Sequence, residues 1–177
     1  RHSFPTRRSS DLTAKPGQAV TAPVTTDGAY GLKSFIININ YDPNLLDVSA
    51  ADVKAGSLLS SGWTVVPEVA GGVIHVSAFG TSAILHNEPG DLLDITYHVR
   101  NGVSGKAVLD IDEAHTVLFD AGDGYMLLDA RDGSIDIARK RSGPSRFDGS
   151  LANDAALMSM LGNMPGQSVK SMLWFKK

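Results

Sequence analysis

The sequence predicts an all-β fold, a two-sheet antiparallel β-sandwich with jelly-roll topology and about nine strands. Three observations predict it. Apolar and polar residues alternate at period two through much of residues 17–138, as in strands that bury one face. Turn signals built on Gly, Pro, Asn and Asp separate these runs at intervals of roughly 8–12 residues. No stretch of this region carries the apolar spacing of a long amphipathic helix.

In chain order, Val20, Ala22 and Val24 alternate with polar neighbours, and Pro23 assigns this strand to a sheet edge. Thr26-Asp27-Gly28 marks a turn. Leu32 to Tyr41 places Phe35, Ile37, Ile39 and Tyr41 on one face, and Ser34, Ile36, Asn38 and Asn40 on the other. Asp42-Pro43-Asn44 turns the chain into a strand from Leu45 to Val48. Gly56 to Gly62 is a loop, and Trp63 to Val69 a strand. Gly71-Gly72 provides the positive φ values of a tight hairpin. Val73 to Phe79 then sets Val73, His75, Ser77 and Phe79 opposite Ile74, Val76 and Ala78. Pro89-Gly90 precedes the strand to Val99, with Leu93, Ile95, Tyr97 and Val99 sharing a face. Four shorter runs close the pattern: Ala107 to Ile111, Thr116 to Phe119, Tyr125 to Leu128, and Gly133 to Ile137.

The 177 residues suffice for one domain with a substantial core. Cysteine is absent, which excludes disulfides and thiolate metal sites. No apolar run is long enough to span a bilayer as a helix. There is neither an initiator Met nor a signal peptide, so the sequence reads as a fragment of a longer frame.

Charge divides the chain into three parts. Residues 13–138 carry six Lys/Arg against sixteen Asp/Glu, whereas residues 139–177 carry seven Lys/Arg against two Asp. The acidic body argues against nucleic-acid binding, which needs clustered cations. Residues 1–12 resemble a translated sequencing adapter and are set aside as an artefactual or disordered N-terminus. An exposed sheet edge is expected where they join the body. Residues 139–177 are expected to form a weakly ordered basic linker or tail, with at most one short helix over 151–161.

Within 13–138 several segments in order resemble the cohesin domain. Tyr41-Asp42-Pro43-Asn44-Leu45-Leu46-Asp47-Val48 resembles the signature with which a cohesin strand ends. Ala55-Gly56-Ser57-Leu58-Leu59, Gly72 to Phe79, Gly90 to Val99, Val103-Ser104-Gly105 and Asp129 to Ile137 resemble its later segments. The resemblance implies a secreted or cell-surface module of bacterial type that docks a dockerin-like protein in a polysaccharide-degrading assembly. It also implies a fold superfamily shared with cellulose-binding modules. Cohesins that bind type I dockerins carry polar or acidic residues where this chain has Ser34 and Ile36, and Ile36 accepts no hydrogen bond. The expected partner-binding residues are Ser34, Asn38, Asn40, Ser77, Phe79, Leu85, His86 and Glu88. Phe79 with Leu85 would form an apolar anchor inside a polar rim, although Phe79 fits the core equally well.

Catalytic chemistry finds little support in the residues. His75, His86, His98 and His115 lack metal-ligand spacing, and no nucleophile elbow occurs. Asp120-Ala121-Gly122-Asp123-Gly124 departs from a calcium loop and reads as a hairpin turn. No cofactor, metal or catalytic residue is expected. Two other functions remain open: a carbohydrate-binding module, which needs a planar strip of exposed aromatics, and a purely structural surface-protein module.

Overall fold

A computed structural model describes residues 3–5, 11–122 and 124–138. The tail expected over 139–177, with its short helix, lies outside the described residues.

Alternation at period two is realised as two packed sheets. Their strands are β1 (Ser3–Pro5), β2 (Asp11–Ala14), β3 (Ala19–Thr26), β4 (Leu32–Tyr41), β5 (Leu46–Asp47), β6 (Val53–Ala55), β7 (Trp63–Ala70), β8 (Val73–Gly80), β9 (Gly90–Val99), β10 (Gly105–Ile111), β11 (Val117–Asp120), β12 (Tyr125–Asp129) and β13 (Gly133–Ile137). Among the described residues there are thirteen strands where about nine are expected. β5 falls on the expected run from Leu45 to Val48; the strands outside the expected runs are β6, which like β5 pairs with β9, and β1 and β2, which precede the region read as strands. Both N-terminal strands pair in parallel, β1 with β12 and β2 with β13, so Asp11 and Leu12 take part in a ladder. All other pairings are antiparallel.

The larger sheet is organised around β4. One edge of β4 pairs with β8, and β8 pairs in turn with β7. The other edge is shared between β11, beside Leu32 to Ile36, and β10, beside Ile39 to Tyr41. The chain passes from one to the other at Asn38, whose carbonyl accepts from the Asp112 N–H and whose N–H donates to Thr116 Oγ1. Both backbone groups of Asn38 are thereby satisfied. The smaller sheet has β3 on one edge of β9, with β5 and β6 on the other. β3 is thus an edge strand, which tolerates the missing N–H of Pro23.

The core lies between the sheets. Phe35, Ile37 and Ile39 of β4 and Ile74, Val76 and Ala78 of β8 pack towards Leu93, Ile95, Tyr97 and Val99 of β9 in one apolar cluster. Burying each Ile or Leu side chain contributes about 1.5–3 kcal/mol. Trp63 stacks on Phe35 at 5.9 Å, and Tyr41 meets the buried Tyr97 edge to face at 6.3 Å. The two residues of the β7–β8 turn, Gly71 and Gly72, have φ values of 60° and 84°, as the tight hairpin requires.

Candidate interaction face

Because Phe35, Ile37 and Ile39 of β4 enter the core, Ser34, Ile36, Asn38 and Asn40 point out of the sandwich. Strand register aligns them with neighbours in four rows. Across Ser34 run Tyr125, Phe119, Ser34, Phe79 and Thr64. Across Ile36 run Val117, Ile36, Ser77 and Val66. Asn38 is followed by His75 and Glu68, while Asn40 lies between Asp110 and Val73, with Ala70 beyond.

The first two rows carry Phe119, Phe79, Val117, Ile36 and Val66 among Ser34, Ser77 and Thr64, and several side chains in them are open to solvent. Val66, Phe79 and Tyr125 are 52%, 53% and 79% exposed. Phe79 is therefore a surface side chain and not part of the core. Phe119 contacts Tyr125 with ring centroids 5.1 Å apart and planes tilted by 41°. Trp63 is packed against Phe35.

The other two rows carry Asn38, His75, Glu68, Asn40 and Asp110 beside the apolar Val73 and Ala70, and several of the polar side chains are bonded to one another. Asn38 Nδ2 donates to the His115 carbonyl, which leaves Oδ1 as the acceptor facing His75. His75 Nδ1–H consequently donates to Asn38 Oδ1 at 2.8 Å, and its Nε2 accepts from Ser77 Oγ at 3.3 Å. Asn40 Nδ2 donates to Asp110 Oδ2 at 2.9 Å. The Asp112–Thr116 loop that supports Asn38 is braced by His115 Nδ1 against Asp112 Oδ2 at 2.7 Å. This hydrogen bond lowers the Asp112 pKa.

Ser77, His75 and Asn38 follow the order of a nucleophile, a base and an orienting group. β8 is paired on both edges, so its ladder commits the backbone N–H groups around Ser77. Asp120 organises the β11–β12 turn by accepting from the N–H groups of Gly122 and Gly124, both at 2.8 Å. Among the described residues no cluster of His, Cys, Asp and Glu has the geometry to hold a metal ion.

Five of the eight expected partner-binding residues, Ser34, Asn38, Asn40, Ser77 and Phe79, thus share one face. Leu85, His86 and Glu88 lie in the loop between β8 and β9, all exposed. That loop is tied to the start of β4 where Ile84 N–H donates to the Leu32 carbonyl and its own carbonyl accepts from Gly31. Its Asn87 lies against Gly28. Leu85 lies in that loop, outside the strand row that contains Phe79. Val66, Val117, Phe119 and Tyr125 complete the face and were not anticipated. Alternation around Val117 and Phe119 marks a strand, but only strand register places them beside Ile36 and Ser34.

A void of about 20 Å³ near Tyr97 and Arg131 has room for about one water. A shallow polar groove of about 520 Å³ runs past Asp47, His98 and Arg100.

The fold is a two-sheet β-sandwich whose larger sheet presents an outward face with exposed apolar side chains. The chain belongs to the cohesin domain family, whose profile matches residues 10–137. Three solved structures illustrate the likeness. A non-cellulosomal cohesin from the archaeon Archaeoglobus fulgidus is 20% identical with a TM-score of 0.66, covering 79% of this chain and 94% of its own. The OlpA cohesin of Clostridium thermocellum, solved in a type I complex with dockerin Doc918, is 19% identical with a TM-score of 0.65, covering 77% and 100%. The third ScaC cohesin of Acetivibrio cellulolyticus was solved with the ScaB dockerin mutated in its C-terminal helix. It is 20% identical with a TM-score of 0.63, covering 76% and 98%. No curated protein sequence matches the chain.

Proposed function

We propose that residues 13–138 are a non-catalytic docking module that binds a dockerin-type protein through the outward face of β11, β4, β8 and β7. The observation that carries this reading is that register brings the exposed Val66 and Phe79 and the half-buried Ile36, Val117 and Phe119 to the outward side of neighbouring strands in a chain of the cohesin family. Such a surface beside polar rows has the composition of an interface core with a polar rim. Solved complexes of similar cohesins with dockerins support the choice of partner. Ser34, Asn38, Asn40 and Ser77 supply hydrogen-bonding positions around the anchor Phe79, and Leu85, His86 and Glu88 extend the rim. The module belongs on this reading to a secreted or cell-surface assembly of bacterial type that degrades polysaccharide.

Calorimetric titration of the full chain against a panel of dockerins and against soluble cello-oligosaccharides tests the proposal. Saturable one-to-one binding of a dockerin is expected, and Ile36→Asp abolishes it while the chain stays folded by circular dichroism. Binding of the sugar alone, or of nothing, refutes the docking reading.

A further inference from the structure

We infer that Asn101 is a self-modification site, where the Gly102 main-chain nitrogen displaces the side-chain ammonia and leaves an aspartate or isoaspartate in the turn between β9 and β10. The reaction needs no partner and stands apart from docking.

Among the described residues Asn101 is the one asparagine that a glycine follows. Asn38, Asn40, Asn44 and Asn87 precede Ile39, Tyr41, Leu45 and Glu88, whose Cβ atoms screen the nitrogen that the amide carbon must meet. Three of those amides are also held, Asn38 by His115 and His75, Asn40 by Asp110, and Asn44 by Asp42. Asn101 is exposed, and its Oδ1 lies against Gly17, where a Cβ would come 2.6 Å away. Neither its amide nor the Gly102 N–H has a hydrogen-bond partner among the described residues.

The turn is fixed at its entrance and open beyond it. Val99 N–H donates to the Gln18 carbonyl, and Arg100 N–H donates to the Leu45 carbonyl. β9 ends at Val99 and β10 begins at Gly105, so rotation within residues 101–104 breaks no ladder bond. Gly102 has a φ of 77°, and open space surrounds the position of its missing Cβ. The Asn101 side chain can therefore swing its Cγ onto the Gly102 nitrogen without meeting packed neighbours.

Water is the only co-reactant. Hydroxide takes the Gly102 N–H proton, and the nitrogen attacks Asn101 Cγ. The N–Cγ bond forms as the Cγ–Nδ2 bond breaks, and Nδ2 leaves as ammonia with a proton from water, which regenerates hydroxide. Water then opens the cyclic imide. Breaking its N–Cγ bond gives aspartate. Breaking the bond from the nitrogen to the Asn101 main-chain carbonyl carbon gives isoaspartate, whose main chain runs through Cβ and Cγ. Nothing is oxidised or reduced. Either product places a new carboxylate in the groove lined by Asp47, His98 and Arg100. Arg100, 3.8 Å from Asp47, gains a second acidic neighbour.

The test incubates the full chain, folded, at mildly alkaline pH in water enriched in ¹⁸O. Endoproteinase Asp-N then cuts it at acidic pH, and mass spectrometry reads the Asp94–Leu109 peptide. One ¹⁸O atom is expected to accumulate in that peptide over days. The aspartate form is cut a second time by the protease, and the isoaspartate form instead accepts a methyl group from isoaspartyl methyltransferase. Gly102→Ala is expected to slow labelling at least tenfold, because a Cβ then screens the nitrogen. Asn101→Gln is expected to abolish it, with both variants folded by circular dichroism. A folded chain whose peptide stays unlabelled overturns the inference, whatever the chain does in urea. Labelling at an equal rate in Gly102→Ala also overturns it, since ammonia is then lost by direct hydrolysis. Faster labelling at Asn38, Asn40, Asn44 or Asn87 overturns it as well.

Discussion

Truncating Phe79 separates a docking surface from a structural core within one residue. Phe79 is 53% exposed, so nearly half of its surface is covered by neighbours. Full burial of a phenylalanine side chain is worth about 1.5–3 kcal/mol, so Phe79→Ala costs about 1 kcal/mol of stability. Ile95, opposite in the smaller sheet and 0% exposed, sets the contrast. Ile95→Ala removes buried methyl groups and leaves a cavity, at a cost of about 2–5 kcal/mol. With a urea m-value of about 2 kcal/mol/M, the midpoint falls by about 0.5 M for Phe79→Ala and by at least about 1 M for Ile95→Ala. Urea titration of the full chain followed by tryptophan fluorescence reads both. Dockerin affinity is expected to move the opposite way, with Phe79→Ala losing at least tenfold, as at an interface hot spot. If Phe79→Ala destabilises as strongly as Ile95→Ala, the ring is structural and the assignment of this surface to docking is wrong.

Other consequences follow from individual contacts. Gly72→Ala places a methyl group 2.9 Å from the Tyr41 carbonyl oxygen at a φ of 84°, whereas Gly71→Ala meets nothing within 4 Å. The first is expected to lower stability by more than about 2 kcal/mol and the second by about 1 kcal/mol, checked by thermal unfolding. Asp120→Ala removes the acceptor for two turn N–H groups and is expected to cost about 1–2 kcal/mol, with faster hydrogen exchange at Gly122 and Gly124. Asp52 is held to a pKa of about 2, first by the Ser49 hydroxyl and then by His98. Its contribution is therefore complete above the ordinary value near 3.8 and is lost as pH falls through about 2. Solvent screening at this surface position limits it to below about 1 kcal/mol, and a carboxyl ¹³C titration reads the midpoint directly. Asn38→Ala frees His75 Nδ1 from its acceptor, and nitrogen shifts are expected to show loss of the pure Nδ1–H tautomer.

Much of this protein is legible along the chain because the physics there is local. Alternation at period two sends Phe35, Ile37 and Ile39 inward and Ser34, Ile36, Asn38 and Asn40 outward, whatever the neighbours are. Gly71-Gly72 dictates a tight hairpin because positive φ is unstrained only without a Cβ. β6 left little trace, since a three-residue strand is too short to show a period. Pairing partners are a different matter, since no local preference states which strand lies beside which. The burial of alternate faces between two sheets decided that β4 would be shared by β10 and β11. That sharing is what carries Val117 and Phe119 to Ile36 and Ser34, and Asp110 to Asn40. The orientation of each side chain was thus determined by the sequence itself. The assembly of those side chains into one surface was decided only by tertiary register, because residues up to about ninety positions apart meet there solely through closure of the sandwich.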